Sequence, residues 1–266
     1  MKENATGTGI NKPTLIQSAP HHSSLTTHHS LEVLVCTVAD ARAAAAGGAS
    51  RLEVVREAAM GGLSPALATV AAIQAAVRLP LRVMVRPTPA FRVTAATVDA
   101  MAGEARALQR LGVEGLVLGM VCDLPAGTAV DRRALQRVLA AAPDLRATFH
   151  RACEELSDPG TALRDLVSCP QVDRVLMSLS KGRNWEEGVA QLARYAVAAP
   201  ALTWIVGGGL RHGDLAPLAR AALARGLPIE FHVGTAARDP AQPDAAVSVA
   251  KVAALVEELS LRAPEA

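Results

Sequence analysis

Four ionisable residues, Glu53, Arg86, His150 and His232, share one placement in the sequence: each sits near the end of a short apolar run. Thr148-Phe149-His150-Arg151 closes the run from Leu145 to Ala152. Side chains of an extended chain alternate between two faces, so Ala147 and Phe149 share an apolar side while Thr148 and His150 share the other. Imidazoles exchange protons near neutral pH, which makes His150 and His232 candidate acid/base groups. Glu53 would orient such an imidazole or act as a second acid/base, and Arg86 would hold an anion. Ser178 ends another run, and Gly207-Gly208-Gly209 and Gly234-Thr235 follow two more. Glycines let backbone N–H groups approach an anion closely, so these residues are candidate ligand-binding positions. Each candidate also has a purely structural explanation. Glu53 and Arg86 would equally make a buried ion pair, the histidines would be satisfied core residues, and three glycines would make a tight turn.

The elements that must position these residues repeat along the chain. Strands are predicted at Leu31–Cys36, Arg51–Val55, Leu81–Arg86, Gly115–Val121, Arg146–Arg151, Arg174–Ser178, Thr203–Gly207 and Ile229–Val233. Between them, helices are predicted at Val38–Ala46, Pro65–Val77, Ala95–Leu111, Asp131–Ala141, Pro159–Val167, Glu186–Ala198, His212–Ala224 and Ala241–Leu261. Eight strand-then-helix units point to an α/β fold of the (β/α)₈ TIM barrel type, a single domain over residues 31–262. A doubly wound sheet is the alternative, but Thr37-Val38-Ala39-Asp40 after the first strand lacks the glycine-rich turn it favours. Residues 1–30 are polar and without an apolar core segment, and read as a disordered tail rather than a signal peptide. His21-His22 and His28-His29 in it would grip a divalent metal or be incidental.

Alternation then sorts the faces. Leu31, Val33 and Val35, Leu81, Val83 and Val85, and Ile229, Phe231 and Val233 would meet the helices. Glu32, Leu34 and Cys36, Arg51 and Glu53, Arg82, Met84 and Arg86, Thr148 and His150, Ser178, and Glu230 and His232 would face the barrel axis. Unpaired buried charge is costly, so acids and bases on one inner surface predict a paired network open at the carboxyl ends of the strands, where barrels carry their active sites.

Composition excludes several classes. Net charge is +2 with scattered basic residues and 2% aromatics, which offers no nucleic-acid surface. No apolar run reaches the roughly 18 residues of a membrane span. Cys36, Cys122, Cys153 and Cys169 are far apart without a CxxC spacing, which points to reduced thiols and a cytoplasmic setting. Lys181, a conceivable Schiff-base lysine, is flanked by Ser180, Gly182 and Arg183 and reads as solvated.

Several stretches resemble the CutC copper-homeostasis family, from about Leu31 to Asp239. They are Gly47-Gly48-Ala49-Ser50-Arg51-Leu52-Glu53, Gly61-Gly62-Leu63-Ser64-Pro65, Met84-Val85-Arg86-Pro87, Thr148-Phe149-His150-Arg151-Ala152 and Glu230-Phe231-His232. The resemblance implies a single-domain barrel, a cytoplasmic homo-oligomer and a role in copper binding. The cysteines to which the family's copper proposal looks correspond here to Leu34 and Val55, which bind no Cu(I). Cys36, two residues beyond Leu34, is the remaining candidate metal ligand, with Met60 and Met84 as conceivable soft partners. Two functions follow as expectations: copper handling through Cys36, or acid/base chemistry on a small anionic, perhaps phosphorylated, metabolite. A non-catalytic binding barrel is a third.

Overall fold

The computed structural model describes Met1, residues 27–179 and residues 185–261. Most of the polar tail, the His21-His22 pair and Lys181 lie outside the described residues. Eight parallel strands close into a barrel: β1 (Leu31–Val35), β2 (Arg51–Val54), β3 (Leu81–Met84), β4 (Gly115–Leu118), β5 (Arg146–Phe149), β6 (Val172–Ser178), β7 (Thr203–Gly207) and β8 (Ile229–Val233). Each pairs with the next in sequence, and β8 closes on β1 with Phe231 opposite Leu31. Helices α1 (Val38–Ala46), α2 (Leu67–Ala76), α3 (Ala95–Leu111), α4 (Arg132–Ala140), α5 (Pro159–Val167), α6 (Trp185–Ala198), α7 (Leu215–Leu223) and α8 (Val249–Leu259) follow the strands in turn. This is the (β/α)₈ barrel that the strand count predicts. No helix among the described residues is long and apolar enough to cross a membrane.

Caps set the helix starts. Thr37 accepts from Asp40 N, Thr94 from Thr97 N, Asp131 from Ala134 N and Ser248 from Lys251 N. The last helix begins at Val249 rather than Ala241, because Pro240 and Pro243 lack the N–H that a continuing helix needs. The fourth strand stops at Leu118, and Val121–Leu124 turns outward to pair antiparallel with Gly127–Val130. The fold also takes in part of the predicted tail: Thr27–His28 pairs with Ser260–Leu261, and Ser30 O accepts from Phe231 N at 2.9 Å.

The outward side chains of the strands and the inward faces of the helices form one apolar core, built largely of Val, Leu and Ala. The barrel interior differs, because its lower half is ionic. Arg82 is fully buried and is held by Glu114 at 3.1 Å and Asp173 at 2.8 Å. Asp173 also pairs with Arg174 at 2.7 Å, Arg174 with Glu230 at 3.2 Å, and Glu230 with Arg51 at 2.5 Å. Arg51 reaches Glu32 at 2.6 Å. Acids and bases thus alternate across the inside of the barrel, so no buried charge there faces a like charge alone. Gly115 makes room for this network: a Cβ there would stand 2.7 Å from an Nη of Arg82. Above the ionic layer Leu34, Val55, Met84 and Val117 form a small separate apolar cluster.

Candidate functional site

At the carboxyl ends of the strands lies a cavity of about 390 Å³, lined among others by Glu53, Arg86, Phe91, His150, Gly208, Gly209 and His232. Strand length sets the height of its polar groups. The third strand ends at Met84 and the fifth at Phe149, so Arg86 and His150 begin the loops above them. Glu53 and His232 lie within their strands, deeper toward the ionic layer.

The deep wall is a row of one imidazole between two carboxylates. His232 Nδ1 lies 2.9 Å from Glu32 Oε1, and His232 Nε2 lies 3.3 Å from Glu53 Oε2. Burial works against a charge on Glu32, but Arg51 and then His232 outweigh it and hold its pKa at about 2. Burial pushes Glu53 the other way, and the neighbouring Glu32 charge adds to it, to about 7. Burial also opposes a charge on His232, yet Glu53 and Glu32 together raise its pKa. Glu32 is thus held ionised beside His232, while burial favours the neutral form of Glu53 and the two carboxylates favour the charged form of His232. The second Glu53 oxygen, Oε1, is buried and has no hydrogen-bond partner.

The upper wall is electropositive. Arg86 lies across the loop after β2, donating to the carbonyl of Gly62 at 3.1 Å, to those of Gly61 and Met60 at 3.4 Å, and to Pro89 O. Gly61 and Gly62 have φ of 77° and 85°, the left-handed backbone that turns these carbonyls onto the guanidinium. The guanidinium carbon stands 4.5 Å from the Phe91 ring centre. Among the described residues Arg86 has no carboxylate within ion-pair distance, and its Nε is buried and unpartnered. Burial, then the Arg151 charge, lowers its pKa.

His150 packs on the same phenylalanine, with ring centres 5.1 Å apart. Its Nδ1 accepts from Ala152 N at 3.2 Å, which places the ring proton on Nε2. Burial and then Arg86 press its pKa down to about 3, so the ring is neutral. Nε2 is buried and without a partner. Gly119 seats this ring: a Cβ there would lie 2.5 Å from His150 Nδ1.

Glu53, Arg86, His150 and His232 therefore meet in one cavity, with Gly208 and Gly209 from the loop after β7. Glu53 and Arg86 do not form the ion pair that was the structural alternative, since Glu53 faces His232. Ser178 and Gly207 stand apart from the cavity wall. Ser178 donates to Gly208 O at 3.3 Å and lines a different cavity, beside Glu154 and Tyr195. Gly207 packs against Leu176 and His232, at 3.0 and 3.2 Å from the Cβ it lacks. Glu32 and Arg51 were visible as inward residues but not as parts of the site, because their role depends on partners from other strands. Phe91 and Gly119 carried no sequence signal beyond the scarcity of aromatics and the end of a strand.

Cys36 lies past the end of β1, half-buried, in a groove with Asp40 and Arg238 rather than in the central cavity. Burial raises its pKa, which disfavours the thiolate. No described cysteine belongs to a cluster of three or more metal-ligating side chains. Cu(I) prefers soft thiolate or thioether donors, so the described residues do not form a cysteine-rich copper site. Glu32, Glu53 and His232 do bring ligand atoms within 4.8 Å of one another. Both imidazole nitrogens there face carboxylates, and Arg51 pairs with Glu32.

A family model described as the CutC family matches residues 29–235. The chain belongs to the CutC family. It is 34% identical over 189 residues to a CutC family protein of Xylella fastidiosa, covering 71% of this chain and 69% of that one. It is 33% identical over 206 residues to one of Chromobacterium violaceum, covering 76% and 79%. The solved CutC structure from Streptococcus agalactiae superposes with a TM-score of 0.67 at 20% identity, over 77% of this chain and 98% of that one. That likeness is one of fold.

Proposed function

We propose that this CutC barrel binds a small anionic metabolite in its mouth and exchanges a proton with it through the Glu53–His232 pair. The observation that carries this reading is the pairing of opposites on one cavity: Arg86 without a counter-carboxylate and a neutral His150 N–H on one wall, Glu53 with a free oxygen on another. Convergent polar groups with displaced pKa values in one apolar-walled cleft mark catalytic sites more often than structural ones. Gly208 and Gly209, with φ of 79° and 93°, add backbone opposite Arg86, since β7 lies across the barrel from β3. A thermal-shift screen with phosphate, phosphorylated metabolites and small carboxylates tests it. A stabilising anion is expected, and its effect should vanish in Arg86→Ala; persistence in that variant removes Arg86 from the site.

Copper homeostasis is the second reading, favoured by the description of the Streptococcus agalactiae CutC protein. It would rest on Cys36, which belongs to the same small cluster as Met84. Anaerobic Cu(I) titration of wild type against Cys36→Ser decides it, and equal affinity removes Cys36. A cytoplasmic location, supported by four free cysteines, and a homo-oligomer, implied by the family, belong to both readings. Cell fractionation and sedimentation test them.

A further inference from the structure

Resting on the anion-binding reading above, we infer that the ligand is an enolisable carbonyl compound, of the class of 2-oxo acids and hydroxyketones. His150 Nε2–H and Arg86 Nε–H hold its carbonyl oxygen while Glu53 takes a proton from the neighbouring carbon. The argument begins with what His150 is unable to do. Its Nδ1 accepts from Ala152 N at 3.2 Å, and a Cβ on Gly119 would stand 2.5 Å from that nitrogen. Nε2, buried and without a partner, is therefore a donor, and a neutral donor polarises a carbonyl rather than removing a proton. Arg86 Nε is the second buried donor without a partner, and both side chains pack on the Phe91 ring. Two convergent donors, one of them cationic, suit an oxygen that gains negative charge as reaction proceeds.

Glu53 supplies the complementary demand. A simple inorganic anion would satisfy Arg86 but leave the free Oε1 of Glu53 facing negative charge. A ligand offering a removable proton at that end satisfies both. The cavity wall among the described residues contains no lysine, cysteine or serine, so a covalent adduct through such a side chain has no candidate there. The step balances without a redox partner. The C–H bond breaks and its proton passes to Glu53 Oε1. The released electron pair forms the C=C bond, the carbonyl π pair moves to oxygen, and the enolate charge rests against Arg86 and His150. Glu53 then returns the proton to the same or the adjacent carbon.

The test uses full-length protein and defined probes. Pyruvate, 2-oxobutyrate, 2-oxoglutarate and dihydroxyacetone phosphate are incubated in D₂O, and deuterium uptake beside the carbonyl is followed by proton NMR. Oxalate, a planar mimic of the pyruvate enolate, is compared with sulfate in thermal shift. The expected result is uptake at least about 100-fold above buffer for one probe, lost in Glu53→Gln, the scale of one positioned base. Oxalate should stabilise wild type more than sulfate does and shift the His150 Nε2 proton resonance, a readout that needs no variant. If sulfate or phosphate stabilises while every carbonyl probe exchanges at the buffer rate and oxalate is no better than sulfate, the inference falls and the anion site stands. If no anion binds at all, both fall. Exchange that survives Glu53→Gln in a folded variant also overturns the assignment.

Discussion

His232 and Glu32 are joined by a 2.9 Å hydrogen bond across the seam where the barrel closes, between strands 200 residues apart in sequence. The opposite edge of the same imidazole faces Glu53, and Glu32 itself is clamped by Arg51. One ring thus couples the ionic layer in the barrel to the cavity above it. The ionised Glu32 accepts from Nδ1 and leaves Nε2 toward Glu53.

Replacing Glu32 by Gln breaks this at its root. Arg51 keeps Glu230 but loses its buried partner, and His232 loses the charge that raises its pKa. The expected cost is about 3 kcal/mol in a denaturant melt, the scale for breaking a buried pair. The His232 pKa, read by NMR, should fall; an unchanged value would assign its elevation to Glu53 alone.

Arg82 has no role at the cavity and should matter only for stability. Arg82→Met leaves Glu114 and Asp173 without their fully buried partner. A loss of about 3–5 kcal/mol is expected, with anion binding by any surviving folded protein unchanged. Stability within 1 kcal/mol of wild type would show that the network is dispensable.

Acid should unfold the protein steeply below about pH 4.5, the ordinary value for Glu32. His150, flanked by Arg86 and Arg151, has its pKa depressed from 6.5 to about 3, so the unfolded chain binds its proton first and stability falls across that window as pH drops. Glu32 adds the same sign: the stability it contributes above 4.5 is lost as pH falls toward 2. Glu53, raised from 4.5 to about 7, acts oppositely, favouring the fold as pH drops through that range and offsetting His150 above 4.5. The contribution of His232, with its raised pKa, is complete below 6.5 and is lost as pH rises through its folded value. Below 4.5 two groups pull together, each giving a slope of about 1.4 kcal/mol per pH unit. His150→Gln should roughly halve that slope in pH-dependent urea melts, and an unaltered slope would contradict a neutral buried ring.

Gly119→Ala tests the seating of His150. Its methyl would stand 2.5 Å from His150 Nδ1 and 3.0 Å from Ala152 Cβ, so the ring must shift. A cost of about 1–3 kcal/mol is expected, with anion affinity reduced in the folded protein. Wild-type affinity would mean that the ring position is not critical.

Chains beginning at Thr27 and at Leu31 should differ in melting temperature. The shorter one loses the pairing with Ser260–Leu261, the Ser30 O bond to Phe231 N and the His29 bond to Ile229 O. Equal melting temperatures would show that these contacts add nothing.

Much of this architecture was legible in the chain itself. The (β/α)₈ barrel follows from eight repeats of an apolar run and a helical stretch, and the inward parity of Glu32, Arg51, Glu53, Arg82 and His232 follows from the two-residue period of a strand. Parity assigns a face, however, and not a partner. Glu32, Glu53 and His232 come from β1, β2 and β8, and only closure of the sheet with its particular register sets them in one row. Ser178 shows the limit from the other side: its position at a strand end resembles that of His150, yet its hydroxyl donates to Gly208 O and the residue does not line the cavity. Cys36, one residue beyond the end of its strand, packs against the inner cluster of Leu34 and Met84 but lines the groove beside Asp40 and Arg238 rather than the central cavity. Local sequence therefore determined which residues are extended, which are apolar and which face the axis. Tertiary structure alone decided which charges neutralise one another, because that depends on distances between chain segments that no local period encodes.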